Sequence, residues 1–269
     1  MPPVWQGHDL EDLYYGKISA PSLMSANYLA HFFLGSAGGT FGLGVNDKID
    51  LFNKFAAHVG SVEGHGGVMK HIFLADRFLS MPASVKGDLV ECGVFKGASA
   101  ASLSHLADRV RRRLIICDSF KGLPPNCEPE SVFAHYGRTQ PMKEGDFAGS
   151  RAEVEKNLRE FGMLGRVDFI EGYFHESLKA LKGPIAFAFI DVKLVSSTKD
   201  CLRAIWPLLS PGGMIVTDDA PDMNVAKVYF DDVWWRETLG CDAPGLIGAG
   251  CGVWLNASGA TGQGYCVKR

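Results

Sequence analysis

Glu91-Cys-Gly-Val-Phe-Lys-Gly-Ala-Ser99 joins a short apolar run, Asp88–Cys92, to a stretch of small and apolar residues at helical spacing, Ala98–Arg112. A strand, a glycine loop and a helix form the first unit of a rhythm that continues downstream. Arg113–Cys117 reads as a second strand and Val167–Glu171 as a third. Between them, Arg151–Phe161 reads as an amphipathic helix with Ser150 as its N-cap and Val154, Leu158 and Phe161 on one face. A short helix starts in Ser177–Leu181. Ile185–Ile190 (IAFAFI) is a continuous apolar run, as a strand buried on both faces requires. Thr198–Leu209 reads as a helix closed by Ser210-Pro-Gly-Gly213, and Met214–Thr217 as the next strand. This alternation predicts an α/β chain built on a doubly wound, mostly parallel sheet.

Residues 81–269 form the expected core, with an acceptor-site segment at the C-terminal end. Residues 1–80 break the rhythm. They hold two helix-like pieces, Ile49–His58 and Val68–Leu79, and two glycine clusters, and read as an N-terminal helical cap or lid. Phe230–Trp235 resumes helix, and Gly252–Leu255 reads as a terminal strand. Of the 32 glycines, 13 lie in Gly87–Gly213. Others cluster in Gly35–Gly44, Gly60–Gly67 and Gly240–Gly252. Clustered glycine suits covers that open and close over a pocket.

The chemistry concentrates at strand ends. In a doubly wound sheet, ligands bind beyond the carboxyl ends of the strands. Gly93 and Gly97 would let the backbone approach a ligand there. Their spacing is not the dinucleotide pattern G-x-G-x-x-G, and no G-K-[ST] of a phosphate loop follows. Glu91, at the strand tip, would repel a pyrophosphate and suits a cationic amine or a ribose. That combination points to S-adenosylmethionine, a ligand with an ammonium, a sulfonium and no phosphate; Ser99 closes the loop. The second strand runs into Asp118-Ser-Phe-Lys-Gly-Leu-Pro124. Asp118 lies 21 residues beyond Gly97, near the ~20-residue offset at which an acid meets ribose hydroxyls. Ser119 and Phe120 flank it. Gly172-Tyr-Phe-His175 follows the third strand, where Tyr173 and Phe174 can wall the adenine side.

Composition excludes several classes. A net charge of −3 argues against a nucleic-acid partner, and RVRRR at Arg109–Arg113 reads as a helix end. No run reaches the ~18 apolar residues of a membrane span, and the N-terminus has no signal-peptide pattern. Seven scattered cysteines without a C-x-x-C pair fit reduced thiols, so the cytoplasm is the expected compartment.

Taken in order, E91CGVFKGAS, D118SFKGLP, S150RAEVEKNLREFG, E171GYFHESL, F189IDVKL and L209SPGGMIVTDD resemble the macrocin O-methyltransferase family over roughly residues 63–220. The resemblance implies a class I S-adenosylmethionine-dependent methyltransferase fold, Rossmann-like, with seven strands and an antiparallel last hairpin. It implies methylation of a hydroxyl on a small-molecule acceptor, a sugar or secondary-metabolite precursor. It also suggests a homo-oligomer.

Three acids fall at neighbouring strand tips: Asp191, Asp218 and Asp219. Clustered carboxylates need a cation, and oxygen ligands suit Mg²⁺. The resemblance implies a divalent metal at these positions. The departure is Lys193. Relatives read D-x-D-L-Y where this chain has Asp191-Val-Lys-Leu-Val195. Residues i and i+2 of an extended segment share a side, so Lys193 reaches the pocket of Asp191. Three roles are open to it: a built-in cation that replaces the metal, a general base, or a solvent-facing side chain that leaves the three acids to a metal. His65, in a glycine cluster, and His175 are further candidate bases. Two alternatives to the methyltransferase stay open: a non-catalytic S-adenosylmethionine-binding paralogue, and a hydroxylase-like enzyme on the same fold.

Overall fold

A computed structural model describes residues 20–64, 66–133, 138–248, 254–256, 259–260 and 262–269. In chain order the elements are α1 (Ala20–Leu34), α2 (Val45–His58), α3 (Val68–Leu79), β1 (Asp88–Cys92), α4 (Ala98–Arg109), β2 (Leu114–Asp118), β3 (Ser131–Phe133), β4 (Arg138–Gln140) and α5 (Arg151–Phe161). There follow β5 (Val167–Glu171), α6 (Phe174–Ser177), β6 (Ile185–Ile190), α7 (Val195–Leu208), β7 (Leu209–Thr217), α8 (Met223–Val228), α9 (Asp232–Leu239), β8 (Trp254–Asn256), β9 (Gly259–Ala260) and β10 (Gly264–Val267).

The main sheet runs β10-β7-β6-β1-β2-β5. Every neighbouring pair is parallel except β10, which lies antiparallel to β7. The doubly wound, mostly parallel sheet is therefore as the alternation predicts. Strand order reverses between β1 and β6, so their carboxyl ends bound the crevice in which such sheets bind ligands.

Burial follows the strand period of two. Along β6, Phe187 and Phe189 enter one core with Leu89, Phe78 and Val216, while Ala188 and Ile190 enter the other with Val90, Ile205 and Trp235. All six residues of β6 are buried, because parallel neighbours and helices cover it on both faces. Ser150 caps α5 by accepting from the Glu153 amide at 3.2 Å, and Val154 and Leu158 are the face that α5 buries. The Arg109–Arg113 run is spent on internal contacts. Arg109 pairs with Asp47 and Asp50 of α2, and Arg113 with Asp168 of β5.

Two expectations need correction. Seven strands are expected, and among the described residues the main sheet has six. Beside β10, only Ile247 pairs, as an isolated antiparallel bridge to Tyr265. Gly245 and Gly248, at φ 67° and 91°, turn the chain on either side of it within the described residues. The second concerns Ser210–Gly213, expected as a turn before the strand. The ladder already starts at Leu209 opposite Ile185 and resumes at Met214 opposite Phe187, so this turn is an outward bulge within β7. The predicted strand Gly252–Leu255 lies partly outside the described residues; Trp254–Asn256 pairs with Gly259–Ala260.

The helices before the sheet share its core. Phe78 of α3 is fully buried, stacks on Phe41 and meets Phe187 of β6 edge-on, both at 5.5 Å between ring centroids. Phe78→Ala should cost ~3–5 kcal/mol of folding free energy, read from denaturant midpoints. A loss below ~1 kcal/mol would show that α3 is not part of the cooperative core.

Candidate functional site

A cavity of about 760 Å³ opens at the switch point, where the loops after β1, β2 and β6 converge. Its size suits a cofactor-sized ligand, for which pockets run to ~300–1,000 Å³. It is lined by Gly93, Ser99, Asp118, Ser119, Tyr173, Phe174, Asp191, Lys193 and Asp218, so most residues singled out from sequence meet at one place. Gly64 and Gly66, in front of α3, close one side, and the segment from Gly145 to Ala148 closes another.

At the β1 end, Glu91 is fully buried. Its Oε1 accepts from the Ser99 hydroxyl, while its Oε2 has no hydrogen-bond partner. Burial pushes the carboxyl up to about 8, and the Ser99 hydrogen bond only partly opposes this. A buried acid with one open oxygen behind the glycine loop fits a nearby cationic ligand, whose arrival would favour the ionised form. Asp118, at the tip of β2, orders the loops around it. Its Oδ2 accepts from the Val94 amide and its Oδ1 from the Phe120 amide, both at 2.7 Å. Burial raises its pKa, and backbone amides led by Val94 oppose the rise. Each carboxylate oxygen keeps a further lone pair for hydroxyls in the cavity. These two acids fit an adenosyl amino acid such as S-adenosylmethionine.

At the β6–β7 end, two ammonium groups are interleaved with three carboxylates. Lys70 of α3 reaches Asp191 Oδ2 at 3.1 Å and Asp218 Oδ2 at 3.0 Å. Lys193 pairs with Asp191 Oδ1, with Asp219 Oδ1 at 2.8 Å and, more distantly, with Asp218 Oδ2 at 3.8 Å. Asp219 Oδ2 accepts from the amides of Val192 and Lys193, both at 3.0 Å. These bonds hold Lys193 at φ 65°, a left-handed conformation uncommon outside glycine. The extended i, i+2 geometry expected from sequence is thus replaced by a tight turn, yet the side chain still returns to the cluster.

Burial alone would lower the Lys193 pKa, but the carboxylates, Asp191 first, overcome it and hold the ammonium well above its ordinary range. This environment favours the protonated ammonium, and so the built-in cation over the general base. Lys70 is raised in the same way. Asp191 is held low because the two lysines outweigh its burial, whereas burial and the repulsion of Asp191 lift Asp218 to about 6. The arrangement does not fit a divalent ion. Of the six carboxylate oxygens, only Asp218 Oδ1 lacks a partner, and a hard dication takes ~6 oxygen ligands. Among the described residues no group of three or more His, Cys, Asp or Glu side chains is arranged to hold a metal.

Comparison with known proteins agrees with the fold. The model of the macrocin-O-methyltransferase (TylF) family matches residues 80–244, more than half the chain. The chain belongs to this family. Within that family it is 35% identical over 144 residues to an 8-demethyl-8-(2,3-dimethoxy-alpha-L-rhamnosyl)-tetracenomycin-C 4'-O-methyltransferase of Streptomyces olivaceus, covering 50% of this chain and 53% of the relative. It is 31% identical over 141 residues to a demethyldecarbamoylnovobiocin O-methyltransferase of Streptomyces niveus, covering 51% and 53%. The chain thus spans about half the length of the curated relatives it matches. Among solved structures, the calicheamicin methyltransferase CalS11 shares the fold at a TM-score of 0.52 and 18% identity over 93% of both chains. The O-methyltransferase NovP does so at 0.51 and 21%, over 84% of this chain and 80% of that one.

Some expected residues stand apart from the cavity surface, Glu91 and Gly97 among them. A Cβ on Gly93 would lie 2.0 Å from the Asp191 carbonyl oxygen, and one on Gly97 3.2 Å from Val154. Close packing of the protein on itself thus accounts for both glycines, although Gly93 also lines the cavity. Phe120 packs on Phe169 at 6.2 Å, and Gly172 donates to the Asp118 carbonyl; neither lines the cavity. Asp219 sits behind the cluster. His175 is exposed beside Glu176, and His65 lies outside the described residues. Of the glycine clusters, only Gly60–Gly67 borders the cavity. Gly35–Gly44 packs under α3 instead, where the Gly38 amide bonds the Leu79 carbonyl.

The most important residue that sequence reasoning misses is Lys70. Its one signal is a lysine on the buried face of an apolar helix, VMKHIFLADRFL, outside the family-matched segment. Phe95, Phe147 and the Lys96–Glu63 pair also line the cavity unannounced.

The raised Glu91 carboxyl makes a pH prediction. Folded, it titrates near about 8; unfolded, it would titrate near its ordinary value of 4.5. Between these, the unfolded chain gives up the proton first, so the penalty grows as pH rises and is complete above the folded value. Glu91→Gln should therefore gain stability over the parent by ~2–4 kcal/mol at pH 8 and much less at pH 5. Thermal melts at the two pH values check this, and an equal effect at both would refute it.

Proposed function

We propose that the chain is an S-adenosylmethionine-dependent O-methyltransferase acting on a hydroxyl of a small metabolite, a sugar or secondary-metabolite precursor. The observation that carries the reading is that one cavity joins Asp118 and Ser99, the hydrogen-bond partner of the buried Glu91, to the Asp191–Lys193–Asp218 cluster. The family supports it: two of its members named above are O-methyltransferases of decorated antibiotic scaffolds.

When bound, S-adenosylmethionine supplies an activated methyl group on a sulfonium. The chain's own residues bind and align the partners. Asp118 takes hydroxyl hydrogen bonds at the β2 tip, Glu91 balances positive charge behind the glycine loop, and Tyr173 and Phe174 offer aromatic surface. Across the cavity, the Lys70 and Lys193 ammonium groups, lying among the Asp191 and Asp218 carboxylates, offer hydrogen-bond donors to an acceptor oxygen. Holding acceptor and donor in line supplies much of the rate in such transfers.

Calorimetric titration of S-adenosylmethionine and S-adenosylhomocysteine tests the reading. Both should bind the parent one to one. Asp118→Ala should weaken binding by about 10–100-fold, as loss of hydrogen bonds to a charged group would. No binding to the parent, or unchanged affinity in the variant, would overturn it.

A further inference from the structure

We propose that Lys70 and Lys193 together take the place of a divalent cation in this site, so that its chemistry runs without a metal. The proposal deepens the methyl-transfer reading and rests on it only for the functional consequence; the ion replacement itself is a property of the apo protein.

The argument begins with charge. Asp191, Asp218 and Asp219 bring three negative charges to the tips of β6 and β7, and Asp219 is 5% exposed. Carboxylates so placed repel one another and must be compensated. Two ammonium groups supply two positive charges, the charge of one divalent ion. The geometry shows that each of the three carboxylates holds at least one ammonium, with Asp218 Oδ1 left over. Both oxygens of Asp191 hold an ammonium, one on each side. Asp218 shares Oδ2 between the two lysines. Asp219 gives one oxygen to Lys193 and the other to two backbone amides. A metal would have to displace both ammonium groups from their carboxylates, and Lys70, which is buried, would lose its partners there.

Both lysines are built into place. Lys193 is kept in left-handed backbone by the Asp219 carboxylate, and conformations of this sort persist only where surrounding contacts enforce them. The stem of Lys70 fills the space in which a side chain on Gly66 would stand, at 2.7 Å, and its ammonium lies 5.4 Å from the centre of the Phe189 ring. A flexible surface lysine has no such constraints. The two cations also come from unrelated parts of the chain, one from the helix ahead of the sheet and one from the loop after β6.

The test uses the full-length apo chain and bare Mn²⁺ and Mg²⁺. Titration calorimetry and the paramagnetic resonance of free Mn²⁺ should show no stoichiometric binding to the parent, and its melting temperature should not move with either ion. Lys193→Asp exchanges one ammonium for a fourth carboxylate on a backbone conformation that aspartate tolerates. It should bind Mn²⁺ at least about tenfold more tightly than the parent. If that variant fails to fold, Lys193→Gln serves instead, with a smaller gain in Mn²⁺ affinity expected. Stoichiometric Mn²⁺ binding by the parent, or no gain in any folded Lys193 variant, overturns the proposal. S-adenosylmethionine titrated with EDTA present separates the two ideas. Absence of cofactor binding there sinks the methyltransferase reading while the metal result stands on its own.

Discussion

Three carboxylates crowded at the ends of two adjacent parallel strands cannot stay ionised and buried without cations among them, and much of this molecule is arranged around that demand. The demand draws Lys193 into a backbone conformation that lysine rarely adopts. It draws α3 against the sheet tip, because Lys70 must reach Asp191 and Asp218. It fixes the loop after β6 through the Asp219 carboxylate, which gathers two successive amides. The cavity lies between this cluster and the β2 tip, where Asp118 faces it and Glu91 is buried behind Ser99. Its two ends are therefore electrostatically different: carboxyls held by neutral donors at one, paired charges at the other.

The sheet was legible because its signals are local. A six-residue apolar run such as Ile185–Ile190 suits few environments other than a doubly covered parallel strand, and Ser150 announces α5 by the bond it makes three residues ahead. The acids were legible because strand tips are where a doubly wound sheet presents side chains to ligands. What stayed hidden depends on distance in sequence or on backbone conformation. Lys70 lies 121 residues from its partner Asp191, and nothing in VMKHIFLADRFL says that its lysine is an internal counter-ion. Among the described residues the chain beside β10 pairs through one bridge between two left-handed glycines, and composition does not reveal their backbone angles. The glycines at 93 and 97 carry a second constraint that spacing does not reveal: the Asp191 backbone lies against one and the Val154 side chain against the other.

The helices ahead of the sheet are joined to it twice over, by two different kinds of force. Aromatic packing of Phe78 against Phe187 supplies non-directional adhesion, and the Lys70 ion pairs supply position. Burial favours association of the layers but specifies their relative placement loosely, whereas two ion pairs on one ammonium specify it tightly. The same division holds on the flank, where Arg109 of α4 ties two aspartates of α2.

The wide sequence separation of the Lys70–Asp191 contact has a kinetic meaning. Contacts between distant parts of a chain form only after the entropy of a long loop has been spent, so they are completed late in folding and released early in partial opening. The helix that carries Lys70 precedes every strand of the sheet, while Asp191 and Asp218 wait for β6 and β7. The sheet can align its strands before the charge cluster is whole. The cluster thus works as a seal on assembly: Asp191 and Asp218 meet the Lys70 ammonium only when the helices ahead of the sheet and the strands β6 and β7 have found each other.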